Sequence, residues 1–300
     1  MSRFKTSKMI WKKRRFQFFI LFLLAFIWGS SYILMKTGLK SFSHNQAAAV
    51  RIVLASSVLM PISIKNLKFL KKKDVPGLLI AGFCGSFIPA FLFTLAQTRI
   101  ESSLAGMLNS LTPVFTMLVG ILFFKAKTGW MQILGLLLGL SGAVWLISLG
   151  EGVSLGNINP YALFIVLATL IYGFNVNVVK TRLTHLTGAQ ITSLSFMFLW
   201  LPAVIFLLTT DFHPVFEHSG WPWHFAALAT LGIVGTALSM LMQNSLIRYT
   251  TAVFATSVSY IIPIFAISWG MLDGEHISLL QIACMGIILL GVYLINRVTV

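Results

Sequence analysis

The sequence predicts an all-α integral membrane protein: ten transmembrane helices forming two inverted five-helix repeats, with the N- and C-termini cytoplasmic. Three observations lead there. Apolar residues make up 57% of the chain and charged residues only 10%, where a soluble domain carries about 25% charged residues. Basic residues gather in alternate connecting segments, and the two halves share residues at nearly constant offsets. The mean hydropathy of +0.90 agrees. A soluble globule of this composition would expose leucine and phenylalanine over most of its surface, and lipid is the solvent that accepts that.

A hydrocarbon core takes about 20 apolar residues per helix. Ten runs qualify: 16–35, 46–64, 76–96, 101–124, 129–149, 159–179, 188–208, 222–246, 250–271 and 277–296. The first follows a basic stretch and so resembles a secretory leader. It lacks a small-residue cleavage site and nine further spans follow, so it reads as an uncleaved first helix. The short loops at 97–100, 125–128, 247–249 and 272–276 leave no room for a soluble domain. The expected organisation is a basic cytoplasmic tail (1–15), a first repeat (16–149), an exofacial linker (150–158), a second repeat (159–296) and a short cytoplasmic tail (297–300).

Charge tests the span count. With the N-terminus inside and all ten spans crossing, the inner segments hold 18 of the 22 lysines and arginines and, of the acids, only Asp74. Glu101, Glu151, Asp211, Glu217, Asp273 and Glu275 all fall outside. A miscounted span would scramble this sorting from the error onward. The same sorting accounts for the net charge of +15 without nucleic acid, since no aromatic platform is interleaved with the basic clusters. Cys84 and Cys284 each lie inside an apolar run, in neither a metal-ligand nor a disulfide spacing, and read as small packing residues.

The halves superpose residue by residue. Trp28-Gly29 matches Tyr172-Gly173 at an offset of 144, where Ser31 also meets Asn175, Lys36 meets Lys180 and Gln46 meets Gln190. Gly82-x-x-Gly85-Ser86 matches Gly232-x-x-Gly235-Thr236 at 150, and Pro113 matches Pro263 at the same offset. Gly142 and Gly291 match at 149. Five spans per copy is an odd number, so the second copy enters the membrane from the opposite side. Inverted repeats of this kind are characteristic of carriers, in which exchanging the conformations of the halves converts an inward-open state into an outward-open one.

Trp28-Gly29-Ser30-Ser31, Arg51, Pro113-Val114-Phe115, Pro263-Ile264-Phe265, Gly274-Glu275-His276 and the glycine-rich fifth and tenth spans together resemble the drug/metabolite transporter superfamily. Within it they resemble the bacterial group with two tandem EamA domains, over residues 16 to 296. The resemblance implies a multi-pass protein of the bacterial inner membrane that exports small metabolites, commonly amino acids or related compounds. Its partners would be a small-molecule substrate, the lipid bilayer and a coupling ion such as H+, with a homodimer admissible and no cofactor. One departure concerns the acid after the fourth span: the first-half equivalent of Glu275 is Ala126, which leaves Glu275 a role in helix capping or loop structure.

Ionisable residues flag function in lipid, and few stand at mid-membrane here. Arg51 and Glu101 are candidates for a cavity mouth, with Arg51 and Lys36 expected to reach the outer interface. Trp28 and Ser31 share a helix face, as do Tyr172 and Asn175. Asn109 and Ser259 each precede a proline by four residues, so Pro113 and Pro263 leave their carbonyls without a helical donor; Pro89 does the same to Gly85. These residues suggest a weakly polar cavity with an aromatic lining: Trp28, Ser31, Asn109, Tyr172, Asn175, Tyr260 and Trp269, with helix breaks at Pro89, Pro113 and Pro263. Against it stands the plainer reading that these polar groups join helices and the aromatics face lipid. Gly82/Gly85, Gly232/Gly235 and Gly135/Gly139 read as close-packing sites between helices. His213, Glu217 and His218 sit in a proline-rich interfacial loop, which explains them without metal. The alternatives to metabolite export are a carrier of phosphorylated or nucleotide-linked metabolites, which needs basic side chains in the cavity, and a membrane enzyme or sensor, for which no nucleophile-base set is visible.

Overall fold

Two of the helices begin with the same device. Ser43 and Gln46 exchange side-chain and backbone hydrogen bonds in a capping box, and so do Thr187 and Gln190 at an offset of 144. The paired glutamines of the sequence are therefore helix starts, each satisfying two of the four orphan N–H groups of a helix N-terminus. Near the other end of each repeat, Gln132 accepts from the Gly129 N–H at 2.9 Å and Gln281 from the Ser278 N–H at 2.9 Å.

A computed structural model describes residues 11, 13–149 and 159–297. The helices are α1 (Arg14–Gly38), α2 (His44–Phe69), α3 (Lys72–Ala96), α4 (Ser102–Phe124), α5 (Trp130–Leu149), α6 (Tyr161–Arg182), α7 (Gly188–Leu208), α8 (Trp221–Tyr249), α9 (Ala252–Leu272) and α10 (Leu279–Arg297). The first nine are long and apolar enough to cross a bilayer; α10 contributes a shorter apolar stretch, Leu279–Ile295. Most of the basic tail, the exofacial linker and the last three residues lie outside the described residues.

Four helices are broken, in matched pairs. In α3 a π turn occupies Phe83–Phe87, and in α8 another occupies Ile233–Leu238. Pro89 follows the first; Ser239 stands at the matching place after the second, so the proline is not what makes the turn. In α4 the helix stops at Asn109 and restarts at Thr112, and in α9 a 3-10 turn covers Ser257–Tyr260 before the helix restarts at Ile262. The restarts carry Pro113 and Pro263 in their first turns, where a missing N–H costs nothing. The Asn109 carbonyl finds the Thr112 hydroxyl at 2.8 Å.

The repeats interlock. Helix α1 packs on α8 and α9 of the second repeat, and α6 packs on α3 and α4 of the first. Gly29 and Gly173 make this approach feasible: a Cβ at Gly29 would stand 2.9 Å from the Ile262 carbonyl oxygen, and one at Gly173 2.7 Å from the backbone of Phe115 and Thr116. Helices α2 and α7 form a second inter-repeat pair, in which Ser63 donates to the Ser193 carbonyl at 2.7 Å and Asn66 to the Ser193 hydroxyl at 2.9 Å. Helices α5 and α10 pack chiefly on each other and expose Trp130, Leu137, Trp145, Leu279 and Leu290 on their outer sides. Such faces suit lipid.

The ends of the repeats are tied in matched pairs too. On one face the Ser41 hydroxyl meets His224 Nδ1 at 2.6 Å; on the opposite face His185 Nε2 meets Asp74 Oδ1 at 3.1 Å. These are the same two positions of the duplicated unit, at offsets of 144 and 150.

Candidate functional site

Seven helices enclose a cavity of about 840 Å³, open mouth included, at the junction of the repeats. Helix α1 supplies Trp28, Ser31, Tyr32 and Met35, and α6 supplies the matching Tyr172, Asn175 and Val176. The two π turns face each other across it, contributing Gly85 and Ser86 from α3 and Gly235 and Thr236 from α8. Beyond its π turn, α8 adds Met240, Gln243, Asn244 and Ile247. The breaks of α4 and α9 add Asn109, Thr112, Thr256, Val258 and Ser259. Arg51 enters from α2 and Phe93 from α3.

Local geometry explains why these side chains meet. A π turn inserts one residue into the helical ladder and alters which groups its backbone presents. The Gly235 carbonyl, inside the turn, accepts from the Trp28 indole N–H at 3.0 Å and from the Ser239 hydroxyl at 2.6 Å. Gly85 lies so close to Asn175 that a Cβ there would stand 2.7 Å from the amide nitrogen, and Gly235 stands in the same relation to the Ser31 hydroxyl at 3.0 Å. Each polar residue of α1 or α6 thus abuts the glycine of the other repeat's π turn. Arg51 Nε donates to the Thr236 hydroxyl at 2.6 Å, fixing the guanidinium against α8. No acidic side chain lines the cavity among the described residues.

The candidate residues separate into two groups. Trp28, Ser31, Asn109, Tyr172 and Asn175 line the cavity, with Gly85 and Gly235 beside them. Tyr260 and Trp269 do not. The Tyr260 hydroxyl donates to the Val292 carbonyl at 2.7 Å, and the Trp269 indole donates to the Ser30 hydroxyl at 2.9 Å, so both serve packing against α10 and α1. Both were expected as part of an aromatic lining, and the hydrogen bonds of their polar ends to neighbouring helices place them outside it. A Cβ at Gly82 would stand 3.1 Å from the Ser195 carbonyl oxygen, and one at Gly232 2.9 Å from that of Arg51, so both mark close approaches, to α7 and α2. Glu101 is outside the lining, at the extended residue preceding α4.

Of the two side chains expected at the outer interface, Lys36 stays at the end of its helix, a third exposed beside the acids of the α9–α10 turn, and Arg51 enters the cavity instead. Arg51 turns inward because Thr236 and the cavity offer its head group polar surroundings nearer than the membrane surface. Lys36 Nζ lies 2.6 Å from Asp273 Oδ2 and 2.7 Å from Glu275 Oε1. Glu275 does cap a helix, but the helix is α4, across the repeat boundary. Its carboxylate accepts from the Ser102 N–H at 3.0 Å, the Ser102 hydroxyl at 2.6 Å and the Ser103 N–H at 2.9 Å. Burial alone would raise its pKa, but Lys36, Ser102 and Ser103 outweigh that and hold the carboxyl at about 2, against an ordinary 4.5. On the opposite face Ala126 replaces the acid, and Lys180 donates instead to the carbonyls of Ile247 and Thr250.

Sequence reasoning missed Tyr32, Thr236, Gln243 and Asn244 as lining residues. Thr236 was in the glycine motif and was legible there. Gln243 and Asn244 were hidden by the repeat search itself, because their counterparts at offset 150 are Phe93 and Thr94.

Inverted repeats, mid-helix breaks and a polar cavity at their junction define a membrane carrier. The chain belongs to the EamA-like transporter family, which it matches twice, over residues 15–148 and 159–297. It is 27% identical to the uncharacterized inner membrane transporter YedA of Escherichia coli K12, over 92% of this chain and 89% of that one. It is 24% identical to an uncharacterized transporter of Archaeoglobus fulgidus, covering 93% and 98% of the two chains. A probable terminal-alkyne amino-acid exporter of Streptantibioticus cattleyicolor is 23% identical, covering 98% and 95%. One solved crystal structure shares the fold, with a TM-score of 0.65 at 17% identity over 95% of this chain and 97% of that one. The protein is therefore a multi-pass inner-membrane transporter of the drug/metabolite transporter superfamily.

Proposed function

We propose that this transporter exports small carboxylate-bearing metabolites, amino acids and related amphipathic compounds, by alternating access of the central cavity. The observation that carries the reading is Arg51, the one charged side chain among the described residues that line an aromatic-walled cavity. A guanidinium offers a carboxylate two parallel charge-assisted hydrogen bonds, and Trp28, Tyr32 and Tyr172 offer apolar surface for the remainder. The distant relative named as an amino-acid exporter is consistent with this class. The concentration of basic residues in the segments on the side of the termini supports a cytoplasmic location for both ends.

Arg51 also bears on phosphorylated substrates, which call for basic groups in the cavity. One arginine balances a monoanion. A phosphate monoester, at about −1.5 to −2 charges near neutral pH, calls for a second cation, and the nearest lysines are committed elsewhere: Lys36 to Asp273 and Glu275, Lys180 to two carbonyls. Carboxylates are favoured. The test is counterflow into proteoliposomes loaded with unlabelled amino acids and offered labelled ones, with a sugar phosphate as comparison. Amino-acid counterflow above that of empty liposomes supports the reading; sugar-phosphate counterflow alone would overturn it.

A further inference from the structure

Where α2 hands over to α3, at the face where α1 begins, the chain makes two 3-10 turns, Leu67–Phe69 and Lys72–Asp74. Residues 65–73 hold five lysines, Lys65, Lys68, Lys71, Lys72 and Lys73, and all five are exposed. Exposed apolar side chains lie among and beside them: Ile64, Leu67 and Phe69. Lys68 Nζ stands 5.3 Å from the centre of the Phe69 ring, a cation directly beside an apolar group. The acid that ends the segment pairs elsewhere. Asp74 is buried, with Oδ1 3.1 Å from His185 Nε2.

Both ends of this connection are pinned to the second repeat. Ahead of it Ser63 and Asn66 bond Ser193 of α7 at 2.7 and 2.9 Å, and behind it Asp74 meets His185 between α6 and α7. The lysines are thus displayed from a fixed base, so a ligand gathered there orders little backbone. The duplicated unit does not call for their charge. Its matching connection, residues 209–220 between α7 and α8, holds no lysine or arginine and exposes Asp211 and Glu217. It does keep an exposed aromatic ring, Phe216. Apolar contact with the bilayer is therefore common to both faces, and the cationic display belongs to one. The bias that orients a membrane protein asks for positive charge on one side; it does not ask for apolar groups interleaved with that charge on a pinned turn.

We propose that residues 64–73 form a docking surface for anionic phospholipid. The lysines meet the headgroup phosphates, and Ile64, Leu67 and Phe69 meet the upper acyl chains. Basic residues clustered at the membrane end of a helix attract anionic headgroups, and salt screens the attraction. A zwitterionic headgroup carries its own cation beside the phosphate and offers the lysines no net charge to neutralise.

The test measures equilibrium binding of labelled dioleoylphosphatidylglycerol and dioleoylphosphatidylcholine to the purified full-length protein in a non-ionic detergent. At about 0.1 M salt the phosphatidylglycerol is expected to bind at least about tenfold tighter, and at about 1 M salt the preference should shrink toward unity. Lys68→Gln, Lys71→Gln, Lys72→Gln and Lys73→Gln combined are expected to cut the preference to about twofold or less and to leave phosphatidylcholine binding unmoved. Lys125→Gln with Lys127→Gln, exposed on the same face between α4 and α5, is expected to keep it. Glycerol 3-phosphate, which has the phosphate without the acyl chains, should not displace phosphatidylglycerol at equal concentration. Equal binding of the two lipids by the unmodified protein, or a preference that survives the fourfold substitution, would overturn the proposal. So would a preference lost equally on substitution of Lys125 and Lys127, or displacement by glycerol 3-phosphate.

Discussion

At the scale of single residues, two charged side chains do different work with the same chemistry. Arg51 holds Thr236 with its Nε, and the rest of its fork remains for a ligand. Arg51→Lys keeps the charge and loses the planar fork, so counterflow of a carboxylate substrate is expected to fall about tenfold, and Arg51→Met to remove it. Initial counterflow rates at matched protein density check both. Glu275 is structural. Glu275→Gln removes the charge from four hydrogen bonds, and the expected loss of stability is about 1–3 kcal/mol, read as a lower melting temperature in detergent. Because its folded pKa is depressed to about 2, its contribution is complete above the unfolded value of about 4.3 and declines as pH falls toward 2. The melting temperature of the unmodified protein should therefore drop over that window more steeply than that of the Glu275→Gln variant. Parallel curves would contradict the assignment. That Glu275 matters for a neighbouring helix was not legible from sequence. Its partners Ser102 and Ser103 lie more than 170 residues away, and only the missing acid at Ala126 hinted at asymmetry.

At the scale of elements, the helices were legible and their interruptions only in part. Pro113 and Pro263 announce the breaks in α4 and α9, since a proline cannot complete the helical ladder. The π turns of α3 and α8 left no such sign. They depend on what packs against them, Asn175 on Gly85 and Trp28 on the Gly235 carbonyl, and those contacts join different repeats. Glycine pairs marked close approaches without naming the partner. Gly173 and Gly286 separate the two kinds of helical glycine. Alanine at Gly173 would press on the backbone of α4, and at Gly286 it would meet nothing within 4 Å. Gly173→Ala is expected to destabilise by about 1–3 kcal/mol, whereas Gly286→Ala should be neutral or stabilise by up to about 1 kcal/mol. Melting temperatures of the two variants, measured side by side, decide it. A result with the same sign for both would show that the close approach at Gly173 is not limiting.

At the scale of the whole molecule, duplication was readable as offsets, because point matches survive when overall similarity between halves has faded. The interlocking of the copies was not readable. Nothing in a list of offsets says that α1 packs on α8 and α9, or that α6 packs on α3 and α4. Inward rotation of Arg51 belongs to the same class of information: snorkelling to the interface and turning to the cavity are both open to a long side chain near a helix end, and Thr236 decides between them. The central claim is that the cavity at the repeat junction carries a carboxylate substrate held by Arg51. Counterflow of labelled amino acids in proteoliposomes, with the unmodified protein and Arg51→Met in parallel, tests it most directly. The account predicts saturable uptake for the unmodified protein and background uptake for the variant. Equal uptake by both, with the variant folded as judged by its melting temperature, would contradict it.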